Sequence, residues 1–405
     1  MKTNFLLLMT IVGIAVGCGR TSLRPGTGAD GGADSSAAAT ESPRHGGSIA
    51  LGLEHTCVVG NAGVVFCYGA GGVGQLGDGN TSISVPSTTP VQVKQLSDVV
   101  AVTAGGRHTC ALDKRGEVSC WGDGSYGALG NGNESVSTMP HPVAGLAEIV
   151  QVSAGNAHTC ALQRTGRLFC WGKGEAGQVG DGARKIVNRV PVELKGLPNV
   201  VDVSAGDRHT CAVSDSFELY CWGEGANGRL GSGSVEGSAT PRKVEALKDV
   251  IEVGVSRSHS CARLRAGSVR CWGDGGRGQL GTGRRDSAIT PVAVANVDGA
   301  IALSLGNGQT CALMRDGGVS CWGEGEEIAG AVYPSNQLLP HRIDGVHEAS
   351  EIRLASSFRF QGDDTCLRMK SREVQCWNSR GYGTVRGDLP GYRDTMRTPK
   401  RVTIP

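Results

Sequence analysis

An all-β chain folded as a seven-bladed propeller is what the sequence predicts, and three observations predict it. The first is the cysteine pattern. Fourteen of the fifteen cysteines form seven pairs with one spacing, Cys-x9-Cys: Cys57 with Cys67, Cys110 with Cys120, Cys160 with Cys170, Cys211 with Cys221, Cys261 with Cys271, Cys311 with Cys321 and Cys366 with Cys376. The second is that successive pairs begin 50 to 55 residues apart, so one unit is written seven times. The third is local character: each unit is built of short β-branched or alternating runs bounded by Gly, Pro, Asn or Asp, which reads as strand rather than helix. About four strands in a period near 50 residues is the signature of a propeller blade. A single blade cannot cover both faces of its sheet, so the blades must pack around an axis.

Taken from the N-terminus, residues 1–18 read as a processing signal rather than as part of the fold. Lys2 supplies the positive start, and Phe5 to Val16 form an apolar stretch too short to remain as a spanning helix. Ala15-Val16-Gly17-Cys18 resembles a bacterial lipobox, and Cys18 is the one cysteine without a partner in the repeat. Cys18 is therefore the expected lipidation site, with an ordinary signal peptide cleaved nearby as the alternative. Gly19 rather than Asp after Cys18 favours the outer membrane over the inner in lipoprotein families. Residues 19–46, rich in Gly, Ala and Ser, are a low-complexity tether, and as a flexible coil would reach about 30 Å. Export, tether and paired cysteines all point to an oxidising compartment, the bacterial cell envelope. Beyond residue 18 no stretch is apolar enough to cross a membrane as a helix, so the only membrane link expected is the lipid anchor.

Residues 47–405 hold the repeat, and its second copy shows every part. Val99-Val100-Ala101-Val102-Thr103-Ala104-Gly105 is the opening apolar strand, and His108-Thr109-Cys110-Ala111-Leu112 is the next. A polar turn with Gly116 leads to a strand ending Cys120-Trp121-Gly122. Gly127 to Gly132 follow, and a Pro-Val strand ending in Gly-Leu, Pro142 to Leu146, completes the unit. Separation by ten residues sets Cys110 and Cys120 opposite each other across the hairpin turn. Directly opposed positions on antiparallel strands have Cβ atoms roughly 4.5–5.5 Å apart, near what a disulfide needs. Closing a loop of about eleven residues stabilises by roughly 2.5–3 kcal/mol if chain entropy alone is counted. Zinc or redox sites are the alternatives. Structural zinc prefers Cys-x2-4-Cys and redox centres prefer Cys-x-x-Cys, so the spacing favours disulfides.

The His-Thr-Cys-Ala-Leu, Cys-Trp-Gly and Gly-Gln-Leu-Gly elements, as at His158 to Leu162, Cys170 to Gly172 and Gly177 to Gly180, resemble the regulator of chromosome condensation repeat family in its exported bacterial variant. The resemblance covers residues 47–405 and implies a seven-bladed propeller of that type. Copy one lacks a preceding Pro-Val strand, whereas the chain ends in one, Pro399 to Ile404. The C-terminal strand is therefore expected to pair with the first blade, begun by Ser48 to Cys57, and so close the ring. Copies six and seven depart from the pattern, at Glu324 to Ile328 and at Gln361 to Thr365. Nuclear members of the family act as exchange factors or bind chromatin, an activity closed to an exported protein.

Several motifs that look like chemistry have plainer readings. Gly-x-Gly-x-x-Gly occurs at Gly122/Gly124/Gly127, Gly172/Gly174/Gly177, Gly223/Gly225/Gly228 and Gly273/Gly275/Gly278. A dinucleotide fingerprint opens one helix, whereas a turn recurs in every blade, so these glycines are expected in turns. His55, His108, His158, His209 and His259 share one register, too widely spaced for one metal ion, and an intra-blade bond to backbone is expected for each. Trp121, Trp171, Trp222, Trp272, Trp322 and Trp377, with Tyr68 in blade one, are expected to pack between blades. Asp78-Gly79-Asn80, Asn131-Gly132-Asn133 and Asp181-Gly182 lack the acidic density of a calcium loop. Arg184-Lys185 and Arg284-Arg285 read as solvated turns. The paired acids Asp363-Asp364 and Glu326-Glu327, in the irregular blades, are the weak site candidates that remain.

With a net charge of +2 and aromatics at 4%, the chain lacks the basic stripe and stacking platform of a nucleic-acid binder. No catalytic set, cofactor site or metal site stands out from the repeat. The expectation is a monomeric, non-catalytic scaffold that binds a protein partner through propeller loops on a stiff frame. A carbohydrate or cell-wall binding module would need loop aromatics, and an enzyme would need a cluster of catalytic groups at the channel mouth.

Overall fold

The computed structural model describes residues 47–81, 86–324, 327–328, 331–332, 337–355, 364–378 and 400–402. Cys18, the tether and Asp363 fall outside these residues, as do Glu326 and Pro399. The described residues form seven four-stranded antiparallel sheets, each taking its strands in chain order. Blade two comprises Val99–Ala104, His108–Asp113, Val118–Gly122 and Ser137–Pro142, running from the central channel outward. Blade six adds a small hairpin, Glu327–Ile328 with Ala331–Val332, before its outer strand.

Local chemistry explains each blade. The second and third strands of blade two meet through a turn at Lys114 to Glu117, where Gly116 has φ +81°. Asp113 Oδ1 accepts the amides of Arg115 and Glu117, at 2.9 and 2.8 Å, which shapes the turn. In this register Cys110 lies opposite Cys120, and the same holds in all seven blades. Each opposed pair is joined as a disulfide. Cys57 bonds to Cys67, Cys110 to Cys120, Cys160 to Cys170 and Cys211 to Cys221. Cys261 bonds to Cys271, Cys311 to Cys321 and Cys366 to Cys376. Their Cα–Cα distances are 4.0 to 4.1 Å. Outer strands carry Pro90, Pro140, Pro191, Pro241, Pro291 and Pro340. Proline offers no N–H, so it blunts a strand whose outer edge has no partner.

The core lies between blades. Trp121 is fully buried among Val65, Leu76 and Val93 of blade one, and Trp171, Trp222, Trp272 and Trp322 repeat the arrangement one blade on. Each indole N–H donates to a backbone carbonyl of the preceding blade, as Trp171 Nε1 does to Ala128 O at 2.9 Å. The glycine before each of these contacts is needed twice over. At Gly180, φ is +85°, and an added Cβ would lie 2.5 Å from Trp222 Nε1. Tyr68 stands in for tryptophan in blade one, its hydroxyl 3.5 Å from Cys376 Sγ of blade seven. The side chain of Trp377 is outside the described residues.

Two expectations need correction. The C-terminal strand, Lys400–Val402, does not pair with blade one; it pairs with Val374–Asn378 as the outer strand of blade seven. Ile49–Leu51 is the innermost strand of blade one, and blade one already has its own outer strand, Ser87–Gln92. The ring closes through side chains instead. Glu351 accepts the amides of Ser48 and Ile49 at 3.2 and 3.3 Å and also the Ser48 hydroxyl. Arg368 reaches Val59 O at 3.2 Å, and Ile49, Val58 and Val374 bury the seam. Equivalent acids join other blades: Asp202 Oδ2 accepts Val253 N at 2.9 Å, and Glu252 Oε1 accepts Leu303 N at 3.0 Å.

The histidines also differ from expectation, because their bonds run between blades and to side chains. Nε2 of His55, His108, His158, His209 and His259 lies 2.7 to 2.9 Å from the hydroxyl of Thr109, Thr159, Thr210, Ser260 and Thr310 in the next blade. Each hydroxyl donates its own proton to a carbonyl, as Thr159 does to Ala128 O at 3.1 Å. Nε2 is therefore the donor in each of these bonds, and burial favours the neutral ring. The partner is invisible to a reading within one blade because it belongs to the residue 51 to 54 positions further on.

Candidate binding face at the channel mouth

The seven innermost strands surround a central cavity of about 170 Å³, lined by small or hydroxylated residues such as Thr103, Ser153, Ser204 and Ser304. These hydroxyls tie blade to blade rather than facing a ligand: Thr103 Oγ1 accepts Ala154 N at 3.0 Å, and Ser204 Oγ accepts Val255 N at 3.1 Å. Chemistry is concentrated at one mouth of the channel. There the turn joining first and second strands meets the residue that follows each Trp-Gly.

Backbone bonds fix that meeting. Asp123 N donates to Arg107 O, Lys173 N to Ala157 O, Glu224 N to Arg208 O, Asp274 N to Ser258 O and Glu324 N to Gly308 O, at 2.8 to 3.0 Å. The turns also hand on from blade to blade, with Gly106 N bonded to Asn156 O and Asn156 N to Gly206 O. The consequence is an arc of charged side chains spanning blades two to six. Arg107 lies 3.7 Å from Asp123, and Arg257 lies 3.9 Å from Asp207. Arg208 sits 3.1 Å from both Glu175 and Glu224. Glu224 also holds Arg229 at 2.7 Å, and Arg277 pairs with Glu324. The Glu175 carboxyl is held below its ordinary range, first by its hydrogen bond from Lys173. Lys173 in turn lies over the Tyr126 ring, 4.6 Å from its centroid. A cleft of about 580 Å³ opens among Arg107, Lys173, Arg208 and Arg257 and adjoins the central cavity through Asn156, Asp207 and Arg257.

Apart from His108, which borders the cleft, the residues singled out in the sequence fall elsewhere. The fourteen paired cysteines, from Cys57 and Cys67 in blade one to Cys366 and Cys376 in blade seven, are buried inside the blades and line neither the cavity nor the cleft. Cys211 and Cys221, Cys261 and Cys271, and Cys311 and Cys321 belong to the same blades as Glu224, Asp274 and Glu324, so their bridges stiffen the strands that carry the mouth. The five histidines are wholly buried between blades, where burial, chiefly, lowers the imidazole pKa: to about 3 for His55, His158 and His259, to about 4 for His108, and well below the ordinary value for His209. The first glycine of each Gly-x-Gly-x-x-Gly run ends or nearly ends a third strand, and the others follow in the turn beyond it; Gly122 and Gly127 have φ +102° and +78°. Asp78 and Asp181 cap turns by accepting the amides of Asn80 and Ala183 at 3.1 and 3.0 Å, and Asn131 does the same for Asn133 at 3.3 Å. Arg184 donates to Ala176 O at 3.0 Å, while Lys185 and Arg285 are exposed. The side chains of Glu327 and Asp364 are outside the described residues. The charged arc itself was missed, although its signal is present: the residue after Trp-Gly is Asp123, Lys173, Glu224, Asp274 and Glu324 in five successive copies.

A disulfide-stapled propeller built from seven copies of one unit defines a class of protein, the repeat-built β-propeller. Residues 7–262 match the RCC1-like domain, and residues 250–279 and 266–313 match the regulator of chromosome condensation (RCC1) repeat. The first match spans more than half of the chain, which belongs to the RCC1-like domain family. The human E3 ubiquitin-protein ligase HERC2 is 34% identical over 196 residues, 48% of this chain but 3% of that protein. The Ultraviolet-B receptor UVR8 of Arabidopsis thaliana is 32% identical over 206 residues, 51% of this chain and 36% of the receptor. The chain thus spans well under two thirds of the length of these relatives. Among solved structures, human WBSCR16 superposes with a TM-score of 0.73 at 22% identity, covering 84% of this chain and 94% of that one. Prp20p from Saccharomyces cerevisiae gives 0.72 at 19% identity, covering 90% of this chain and 88% of its own. At these identities the likeness is one of fold.

Proposed function

We propose that this protein is a non-catalytic lipoprotein of the bacterial cell envelope, anchored through Cys18, that presents its propeller as a protein-binding scaffold. The observation that carries the reading is the contrast between frame and mouth. Histidine, tryptophan and cysteine recur in place from blade to blade, while at the mouth Asp123, Lys173, Glu224, Asp274 and Glu324 face Arg107, Ala157, Arg208, Ser258 and Gly308 in turn. Varied side chains on a rigid frame suit recognition of one shaped surface. The solved structure of Prp20p is described with its binding to Gsp1p and histones, and that property of a similar propeller supports a protein partner here. The anchor reading rests on the sequence around Cys18, with the outer membrane favoured by Gly19.

The test is affinity capture. The mature chain, immobilised with its disulfides intact, is incubated with envelope and secreted proteins of the source bacterium, and bound proteins are identified by mass spectrometry. A partner enriched over a reduced, unfolded control is the expected result. Capture indistinguishable from that control would overturn the scaffold reading.

A further inference from the structure

Two of the chain's asparagines stand two positions before a hydroxyl residue, in Asn80-Thr81-Ser82 and Asn133-Glu134-Ser135. That spacing is the acceptor signature for N-linked sugar, which is attached to surface loops of exported proteins. Asn133, Glu134 and Ser135 are all exposed, in the loop between the third and outer strands of blade two. The loop lies at the mouth end of the blade: Asp123 N bonds to Arg107 O, and a Cβ on Gly124 would meet Ser135 O. Asn133 Oδ1 accepts the Ser135 amide at 3.1 Å, and Glu134 pairs with Arg189 of blade three. The carboxamide is thus oriented through its oxygen. Its Nδ2 and the Ser135 hydroxyl have no hydrogen-bond partner among the described residues. The fold does not require asparagine there. Gly132 N bonds to Arg189 O, and Gly182, Gly233 and Gly283 make the same bond to the next blade, followed by Ala183, Ser234 and Arg284. In the other triplet Asn80 Nδ2 donates to Asp78 Oδ2 at 2.9 Å, and Ser82 lies outside the described residues.

We propose that Asn133 is an N-glycosylation site. The inference rests on the envelope reading above, because the transfer takes place on exported chains. The co-reactant is a glycan carried on a lipid pyrophosphate, brought by a glycosyltransferase. Asn133 Nδ2 attacks the anomeric carbon of the sugar; the new N–C bond replaces the C–O bond to pyrophosphate, which leaves with the electron pair, and Nδ2 gives up one proton to a base of the transferase. Ser135 supplies the hydroxyl that the transferase reads two positions on. A glycan on Asn133 stands at the mouth end of blade two, beside the charged arc, and limits which partners reach the mouth from that side.

Peptide mass spectrometry of the full-length protein, purified from the envelope of the source bacterium, tests this alongside N133Q, S135A and S135T made in the same cells. In the parent, the peptide carrying Asn133 is expected to show a glycan mass increment, placed on Asn133 by fragmentation that leaves the sugar attached. N133Q and S135A should lose the increment, and S135T, which keeps a hydroxyl, should retain it. All three changes fall in an exposed loop, and seven intact disulfides in each variant verify that it has folded. An unmodified Asn133 peptide in the parent, an increment that survives S135A, or a glycan on Asn80 and none on Asn133 would overturn the assignment. The state of Cys18 separates this idea from the envelope reading. Bare Asn133 on a chain with lipidated Cys18 removes the glycan site and leaves the envelope reading standing. A chain found unprocessed in the cytoplasm removes both.

Discussion

Mild acid should loosen this propeller, through its buried histidines. Folded, His158 has its pKa pushed down to about 3 by burial; in the unfolded chain imidazole titrates near 6.5. Between those values the unfolded state binds the extra proton, so stability falls as pH falls through 6.5 and goes on falling until the folded ring itself titrates. At pH 5 one such histidine has removed about 2 kcal/mol of the stability present above pH 7. His55 and His259 share the shift to about 3, His108 is lowered to about 4 and His209 well below its ordinary value. The combined loss is therefore on the order of 10 kcal/mol, as large as the whole stability of an ordinary domain. Glutamine fits the site, since Gln309 fills the same register in blade six and is buried there. The experiment is guanidinium unfolding of the parent and H158Q at pH 7.5 and pH 5. H158Q should be the less stable at pH 7.5, yet lose about 2 kcal/mol less than the parent on acidification. Identical pH dependence in the two proteins would refute the neutral, buried ring and the Nε2–H bond to Thr210.

Other outcomes follow from the same contacts. Trp222→Ala empties an inter-blade core and should cost about 3–5 kcal/mol in denaturant unfolding. Glu351→Ala strips the acceptor from three donors at the seam of blades seven and one, and should cost about 1–3 kcal/mol while speeding proteolysis near the termini. Intact mass after alkylation without reductant should show no free thiol in the folded domain; a count near fourteen would contradict the seven bridges. Cys18→Ser should release the protein from the membrane fraction, and continued membrane association would rule out the lipid anchor.

Blade architecture was legible because the information is local. Cys110 and Cys120 sit ten residues apart around one turn, and the pattern of glycines and β-branched runs names each strand without reference to any other blade. Seven copies then demand a ring. The tryptophans were readable for a related reason: a large apolar residue recurring in one register has nowhere to go but the gap between repeats.

What the tertiary structure alone decided is whatever depends on the neighbour one blade away. The hydrogen-bond partner of His158 is Thr210, and nothing local to His158 selects a side-chain hydroxyl over the backbone. Closure was misjudged on similar grounds. The strand missing before copy one suggested pairing, while the real seam uses Glu351 against Ser48 and Ile49 across 303 and 302 positions of sequence. The arginine cleft is the clearest case. Sequence shows charges after Trp-Gly, but that Arg208 meets both Glu175 and Glu224 is set by how the turns stack around the axis. Local patterning determines which strands form, and only packing between blades determines which polar groups are buried as partners and which are left facing solvent.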